Sequence, residues 1–309
     1  MTEDSIGIDI SKDRLDAFRL GDGAERSFNN TPAGFRALRR WLAGEMPARL
    51  VYEPTGACHG GFERALAGHL PLVRVNPLQA RRFAQARGVR AKTDRVDARM
   101  LAAMGAAFAL EPDRPRPEEL YELKELQMAR SALVKDRTRL KNRLGTLRLA
   151  LTRRQTRARL AQIARQLAAL DAEIAARLRR RRARALDILT SIPGFGATTA
   201  ASLLIEGPEV GALGRKQIAS LAGLAPIARQ SGRWQGQSHI WGGRKYLRDA
   251  LYMPALVAIR HNPDMKAKYD QMRARGLPPK VAITAVMRSL LELANALIRD
   301  NRKRKPKPT

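Results

Sequence analysis

Four carboxylates lie at positions where they could act together on one substrate. Asp9 and Glu53 each follow a short apolar run, and Asp94 and Asp97 lie three residues apart in a later segment. Magnesium prefers hard oxygen ligands, and it usually takes one or two carboxylates while keeping waters or substrate phosphates. The chain has 58 Lys and Arg against 29 Asp and Glu. Acids placed in this way on a basic protein indicate metal-assisted phosphodiester chemistry on nucleic acid.

A serine offers a second kind of chemistry. Ser231 precedes a glycine and lies between Arg229 and Arg233. A serine hydroxyl is a weak nucleophile unless a base, a lowered pKa or a metal activates it. The nearest histidine in sequence is His239, so a metal held by the acids is the better source of activation. The residues alone equally allow a turn residue or a phosphate hydrogen-bond donor, and Ser238 is a local competitor.

Glycines and cations around these segments indicate phosphate contacts. Residues 192–196 read Ile-Pro-Gly-Phe-Gly between two helical stretches. This pattern resembles a helix-hairpin-helix, in which glycines such as Gly194 and Gly196 let backbone amides approach a DNA phosphate. A tight turn between two helices is the alternative. The side chains predicted to contact nucleic acid are Arg229, Arg233, Arg244, Lys245 and Arg248.

The elements that must position the acids form an α/β layer. We predict strands at 5–10, 14–19, 50–52 and 72–75, with helices beginning at Pro32 and spanning about 61–69. Strands alternating with helices favour a sheet whose later strands are parallel, and ligands collect at the carboxyl ends of such strands. Asp94 and Asp97 share one face of a helix predicted to reach about residue 108. The sequence thus predicts one site built from three segments, while Asp13 and Asp16 are expected to be surface residues of the first hairpin.

The middle of the chain has the pattern of two long helices. Prolines 112, 115 and 117 mark a boundary, after which leucines recur every seven residues from Leu126 to Leu147. This spacing predicts an antiparallel hairpin or coiled coil that turns near residues 152–157. Two helices of an ordinary bundle are the alternative, and oligomerisation through this segment is a hypothesis. The run 177–184 is strongly basic, and a basic tail occupies 301–309.

Composition limits the class of protein. The net charge of +29 and pI near 11.4 favour a polyanionic partner, with an acidic membrane surface as the competing one. No apolar run approaches the length that we expect of a spanning helix, and the first residues lack the pattern of a signal peptide. The single Cys58 excludes an intrachain disulfide and suits a reducing cytoplasm. We therefore expect a cytoplasmic, nucleoid-associated prokaryotic protein that does not use a membrane.

The motifs, taken in order, resemble those of one transposase family. They are Gly-Ile-Asp-Ile-Ser-Lys at residue 7, Tyr-Glu-Pro-Thr-Gly at 52, Lys-Thr-Asp-Arg-Val-Asp-Ala at 92, Ile-Pro-Gly-Phe-Gly at 192 and Gln-Ser-Gly at 230. The set resembles the insertion-sequence "one-ten" family over roughly residues 5 to 295. The resemblance implies an RNase H-like (RuvC-like) N-terminal domain, a helical hairpin or coiled coil, and a mostly α C-terminal transposase domain with a helix-hairpin-helix. The corresponding boundaries are 1–111, 112–185 and 186–300.

The resemblance also implies roles for individual residues. Asp9, Glu53, Asp94 and Asp97 would be the Mg²⁺ carboxylates, and Ser231 would attack DNA to form a covalent phosphoserine. The implied partners are donor and target double-stranded DNA, a structured noncoding bridge RNA that pairs with both, and further copies of the chain in a dimer or tetramer.

Three rival functions share some of these features. A RuvC-like nuclease would use the same four acids but water as its nucleophile. A noncatalytic nucleic-acid scaffold would need the charge but not the acids. A sugar-kinase-like ATPase also begins with Ile-Gly-Ile-Asp, but its phosphate loop follows with Gly and Thr or Ser, whereas this chain continues Ile10-Ser11-Lys12.

Overall fold

The structure, a computed structural model, describes most of the chain. It covers residues 4–54, 56, 58–88, 94–228, 230–232, 234–236 and 238–304, without the side chains of 94–96, 234 and 235. Two of the predicted phosphate contacts, Arg229 and Arg233, lie outside the described residues, as does the end of the basic tail. The chain forms two compact units, a first unit of residues 1–118 and a second unit of residues 119–309.

A five-stranded mixed sheet is the centre of the first unit. Its strands are β1 (Ser5–Ile10), β2 (Arg14–Arg19), β3 (Glu25–Asn29), β4 (Arg49–Tyr52) and β5 (Leu72–Arg74), in the order β3-β2-β1-β4-β5. The first three strands are antiparallel, whereas β4 is parallel to both β1 and β5. The predicted α/β layer with parallel later strands is confirmed, and β3 is an additional edge strand that the sequence did not predict.

Helices cover this sheet. They are α1 (Pro32–Leu42), α2 (His59–Leu66), α3 (Pro77–Ala86) and α4 (Asp94–Ala107). Helix α1 begins as predicted because Pro32 occupies its first turn and the Thr31 hydroxyl accepts a hydrogen bond from the Gly34 amide. Its apolar face, with Phe35, Leu38 and Leu42, joins the core formed with β1 and β4.

Helix α4 crosses β1 in close contact and runs opposite to it. A Cβ atom added to Gly7 would lie 1.9 Å from the carbonyl oxygen of Ala98, so only glycine allows this approach. Further along the helix, Ala102 O accepts a hydrogen bond of 2.9 Å from the Ser5 hydroxyl, and Gly105 O accepts one of 3.1 Å from buried Arg49. The end of α4 therefore lies over the start of β1 and β4, and its beginning lies towards their carboxyl ends.

Helices α5 (Glu118–Thr146) and α6 (Ala150–Thr190) form the predicted antiparallel hairpin. Ion pairs link the two helices near the base, including Arg130 with Asp171 and Arg181 with Glu119. The turn lies at residues 147–149 and not near 152–157. The helix continues through residues 152–157, where Thr156 is buried and its hydroxyl donates to the Thr152 carbonyl at 2.8 Å.

The rest of the second unit is mainly helical. It contains α7 (Ala197–Glu206), α8 (Arg215–Leu221), α9 (Lys245–His261), α10 (Pro263–Ala274) and α11 (Pro279–Arg299). These helices and the end of α6 share one apolar core. Contrary to the sequence expectation, α11 is long and apolar enough to cross a membrane, but half of its apolar window is buried within this core. Burial against neighbouring helices explains its composition.

Four two-residue strands form a narrow ribbon between α8 and α9. Strand β6 (Pro226–Ile227) pairs with β9 (His239–Ile240), and β7 (Gln230–Ser231) pairs with β8 (Trp234–Gln235), in both cases antiparallel. The chain reverses at Gly232, whose φ of 56° is in the left-handed region. The ribbon therefore turns at Gly232, directly after Ser231.

Candidate active site

Two of the predicted acids lie side by side at the end of parallel strands. The paired residues of β1 and β4 run from Ser5 and Arg49 to Ile8 and Tyr52. In both strands an acid follows the last of these pairs: Asp9 in β1 comes after Ile8, and Glu53 comes directly after Tyr52. Both are half-buried. Because the carboxyl ends of adjacent parallel strands form one edge, the sheet register places these two acids together at that edge.

The beginning of α4 reaches the same edge. Ala98 contacts Gly7, and Asp94 precedes Ala98 by about 6 Å along the helix axis at 1.5 Å per residue. Asp9 lies about 6 to 7 Å beyond Gly7 at the rise of a strand. The first turn of α4 is therefore level with Asp9. Asp97 in that turn is half-buried, and the side chain of Asp94 lies outside the described residues. We call Asp9, Glu53 and the start of α4 the acidic edge.

The chemistry of the acidic edge suits a hard divalent cation. Carboxylate oxygens are the donors that magnesium selects, and one or two of them suffice when substrate phosphates complete the shell. Within the described side chains, no three Asp, Glu, His or Cys residues form a metal-ligating group. Asp9, Glu53 and Asp97 therefore do not converge as one ligand group, and the described acids offer at most two carboxylates for one metal; the side chain of Asp94, the fourth predicted ligand, lies outside the described residues.

A buried polar network supports the strand that carries Glu53. The Tyr52 hydroxyl donates to Glu63 on α2 at 2.5 Å and accepts from Arg74 Nε on β5 at 3.2 Å. Arg74 also forms an ion pair with Glu63. Burial is the main reason that the pKa of Tyr52 is raised above its usual value, so the phenol keeps its proton. The network joins α2, β4 and β5 beside the acidic edge, and no short-range sequence pattern pointed to it.

Asp16 corrects one expectation. It is the Cα partner of Asp9 across β1 and β2, but it is buried and not a surface residue. Arg14 donates to its carboxylate at 2.8 Å, and the Ser27 hydroxyl of β3 donates to it as well. A buried acid is stable where charged and polar partners satisfy it. Asp13 is exposed, as predicted.

Ser231 occupies the tip of the ribbon. It is exposed and lies in the last pair of β7 and β8, next to the turn at Gly232. The competing Ser238 is also exposed, but it lies near the base of the ribbon, directly before β9. The structure thus places Ser231 next to the turn and Ser238 next to β9, with both hydroxyls exposed.

The predicted phosphate-binding side chains at the start of α9 have protein partners. Arg244 forms a bidentate contact with Glu209, with both N–O distances at 2.6 Å. Arg248 donates to the carbonyls of Ala222 and Gly242 at 3.1 and 2.6 Å. Lys245 is exposed and forms an ion pair with Asp249 one helical turn on. These contacts favour a structural role for the two arginines and leave Lys245 the most accessible cation of the three.

The two glycines of the predicted helix-hairpin-helix differ in environment. Gly194 has φ of 101°, and a Cβ there would lie 2.8 Å from the Pro254 carbonyl, so this glycine serves packing against α9. Gly196 is the N-cap of α7, is exposed and has open space around it. Only Gly196 therefore keeps the accessible backbone that a phosphate contact at the start of a helix requires.

Comparisons with known proteins cover most of the chain. A family model described as a transposase, DEDD_Tnp_IS110, matches residues 6–153. A second, described as transposase IS116/IS110/IS902 family, matches residues 186–270. The pilin gene-inverting protein of Moraxella bovis is 32% identical over 323 residues, which cover 98% of each chain. The insertion element IS900 uncharacterized 42 kDa protein of Mycobacterium paratuberculosis is 36% identical over 151 residues, covering 46% of this chain and 37% of its own.

The first match contains the acidic edge and the hairpin turn, and the second contains Gly194, Gly196 and the ribbon with Ser231. The Moraxella relative extends the similarity through both units. The chain therefore belongs to the IS110/IS116/IS902 family of transposases.

Proposed function

We propose that this transposase cuts and rejoins DNA by transesterification, with Ser231 as the nucleophile and the acidic edge as a magnesium site. The observation that carries the proposal is the meeting of Asp9, Glu53 and the first turn of α4 at one edge of the sheet. The strand order and mixed pairing are compatible with the RNase H-like domain that the resemblance implies. The name of the Moraxella relatives, which describes gene inversion, supports a reaction in which broken strands are rejoined.

Each residue has a defined part in this reaction. Asp9 and Glu53, with Asp94 and Asp97, would hold magnesium. Bound there, the metal would polarise the phosphoryl oxygens and offset the charge that develops during an in-line displacement. The Ser231 oxygen forms a bond to phosphorus as the bond to the departing strand oxygen breaks, and that strand leaves as a hydroxyl carrying the proton. A strand hydroxyl of the second duplex then attacks the phosphoserine and releases the serine.

A covalent adduct tests the nucleophile directly. Labelled duplex DNA containing the element's end is incubated with the protein and Mg²⁺, and products are separated on a denaturing gel. We expect a protein-bound band that Ser231→Ala abolishes. Ser238→Ala is the matched control, because it removes an exposed hydroxyl from the same ribbon, and it should leave the band unchanged. Cleavage without an adduct in wild type would instead indicate a nuclease that uses water.

The acids are tested in the same assay. Asp9→Asn keeps the size of the side chain but removes its charge, so adduct formation should fall at least 100-fold, in the range expected when charge stabilisation at a transition state is lost. Binding of duplex DNA, measured separately, should persist. Retention of the adduct in both Asp9→Asn and Asp94→Asn proteins would show that these acids take no part in the reaction. Duplex binding by the wild type with neither cleavage nor adduct would favour the noncatalytic scaffold.

We also propose that a structured RNA from the element guides the reaction and that several copies of the chain act together. The net charge of +29 supports binding of more than one nucleic acid. Sequencing the RNA that copurifies with the protein tests the first part, and random cellular fragments would contradict it. Mixing Ser231→Ala with Asp9→Ala protein tests the second. Recovered adduct and joining would show that different copies supply the serine and the acids.

A further inference from the structure

One surface of the second unit is far more basic than the active-site segments. Between residues 137 and 170 the chain has ten Lys and Arg and no Asp or Glu. These residues form the distal part of the hairpin, around the turn at 147–149. We call residues 137–165 the basic arm. Its exposed cations are Arg139, Lys141, Arg143, Arg148, Arg154, Arg157, Arg159 and Arg165.

The base of the hairpin is constructed differently. There, arginines are matched with acids of the other helix, as in the pairs Arg130–Asp171 and Arg177–Glu122. In the arm, equal charges instead recur four residues apart, for example Arg153 and Arg157. Each such like-charge pair destabilises a helix. Within residues 137–170 no acid offsets this repulsion, and an external polyanion would relieve it.

The arm extends away from the core of its unit. Towards the arm, Ile174 is the last residue of α6 that belongs to the apolar core of the second unit. From there to Ala150 the helix extends about 36 Å at 1.5 Å per residue. The part of α6 that belongs to the basic arm, from Ala150 to Arg165, is about 22 Å long at the same rise, and one turn of duplex DNA is about 34 to 36 Å. The arm can thus follow a duplex for about two-thirds of a turn.

The composition of the arm distinguishes among nucleic acids. No Phe, Tyr or Trp occurs between residues 122 and 194. Recognition of single strands and of RNA loops depends on aromatic side chains that stack on unpaired bases. Arginines without aromatics suit the phosphates of a duplex, where binding is electrostatic and independent of sequence.

From this geometry we propose that the basic arm binds the phosphate backbone of duplex DNA, outside the segment that undergoes strand exchange. The proposal rests on the proposed function only in taking duplex DNA as the substrate. The arm would hold the duplex through several phosphates, and sequence recognition would come from elsewhere.

The test measures how duplex affinity depends on salt in the full chain, after nuclease treatment and a high-salt wash remove bound nucleic acid. The arm variant carries Arg148→Gln, Arg154→Gln and Arg157→Gln. The control carries Arg36→Gln, Arg39→Gln and Arg40→Gln, which remove the same charge from the exposed face of α1. Each lost phosphate contact lowers the slope of log K against log salt by about 0.9. We therefore expect a fall of about 2 to 3 for the arm variant and a clearly smaller change for the control.

Further measurements separate the alternatives. Lysine at the same three arm positions should restore the slope, because it keeps the charge, and circular dichroism should show unchanged helix content in both variants. An unchanged duplex slope in the glutamine variant would overturn the proposal, as would a loss confined to single-stranded DNA or to hairpin RNA. A drop in assembly state by light scattering, with the duplex slope intact, would instead assign the arm to contacts between copies. Failure to form the Ser231 adduct would contradict the proposed function without affecting these binding results.

Discussion

The contact between Gly7 and α4 offers a sharp test of how the acidic edge is assembled. In Gly7→Ala, the new Cβ would lie 1.9 Å from the Ala98 carbonyl oxygen and 2.5 Å from the Ala102 nitrogen. Both neighbours are backbone atoms, so no side chain can rotate away. The helix must move off the strand by about 1 Å or more before the contact becomes tolerable. That movement shifts the first turn of α4, which carries Asp94 and Asp97, relative to Asp9.

Two effects should follow from this shift. Overpacking of a close contact costs typically about 1 to 3 kcal/mol, and a contact with backbone belongs at the upper end of that range. A displacement of about 1 Å in a catalytic group can lower the rate about 100-fold. We therefore expect Gly7→Ala to fold with reduced stability and to form the Ser231 adduct about 100-fold more slowly.

Urea unfolding gives the stability, and adduct formation per folded protein gives the activity. Gly60→Ala is the control, because a Cβ there meets nothing within 4 Å and the residue lies in α2 of the same unit. It should retain both stability and activity. If Gly7→Ala matched Gly60→Ala in both measurements, the close packing of α4 against β1 at Gly7 would be refuted.

Three further predictions concern buried or paired charges. Glu63→Gln leaves Arg74 without its ion-pair partner and should lower the free energy of unfolding by about 2 kcal/mol in urea, the scale of a hydrogen bond to a charged group; an unchanged value would mean that the network adds nothing. Arg244→Lys keeps the charge but loses the bidentate contact with Glu209, so stability should fall by about 1 kcal/mol or less while duplex affinity is retained; lost affinity with full stability would assign Arg244 to nucleic acid. Burial raises the pKa of Glu206, so folding favours its protonated form and that contribution is lost as pH rises through the folded-state pKa. Glu206→Gln should therefore melt at a higher temperature than wild type at pH 7, and the difference should shrink in acid; equal melting temperatures across this range would contradict the prediction.

Local patterns were sufficient to predict most elements near the acids. The apolar runs ending at Asp9 and Glu53 are strands, and the helix from Asp94 ends at Ala107, close to the predicted residue 108. Strand β3 was missed because Phe28 is its only buried residue, as is typical of an edge strand with a polar exterior.

Long-range contacts account for what the sequence did not indicate. Arg244 resembled a phosphate ligand because its partner, Glu209, is 35 residues away and belongs to another segment. Asp16 resembled a surface residue because the hydroxyl that helps to satisfy it comes from β3. The sequence showed Gly7 only as part of a motif. Its steric role depends on α4, which packs against it and comes from a distant part of the chain. Residue types indicated the chemistry, and tertiary packing determined which of the polar residues are already paired within the protein.

Metal-directed cleavage of the protein tests the acidic edge most directly. Fe²⁺ is loaded in place of Mg²⁺, and ascorbate with peroxide then generates radicals that cut the polypeptide nearest the metal. We predict cuts in three separate segments, at residues 9–11, 53–54 and 94–97, all suppressed by excess Mg²⁺ and lost in Asp9→Asn. Cuts in only one of these segments, or at unrelated positions that Asp9→Asn leaves unchanged, would contradict a metal site formed by these acids.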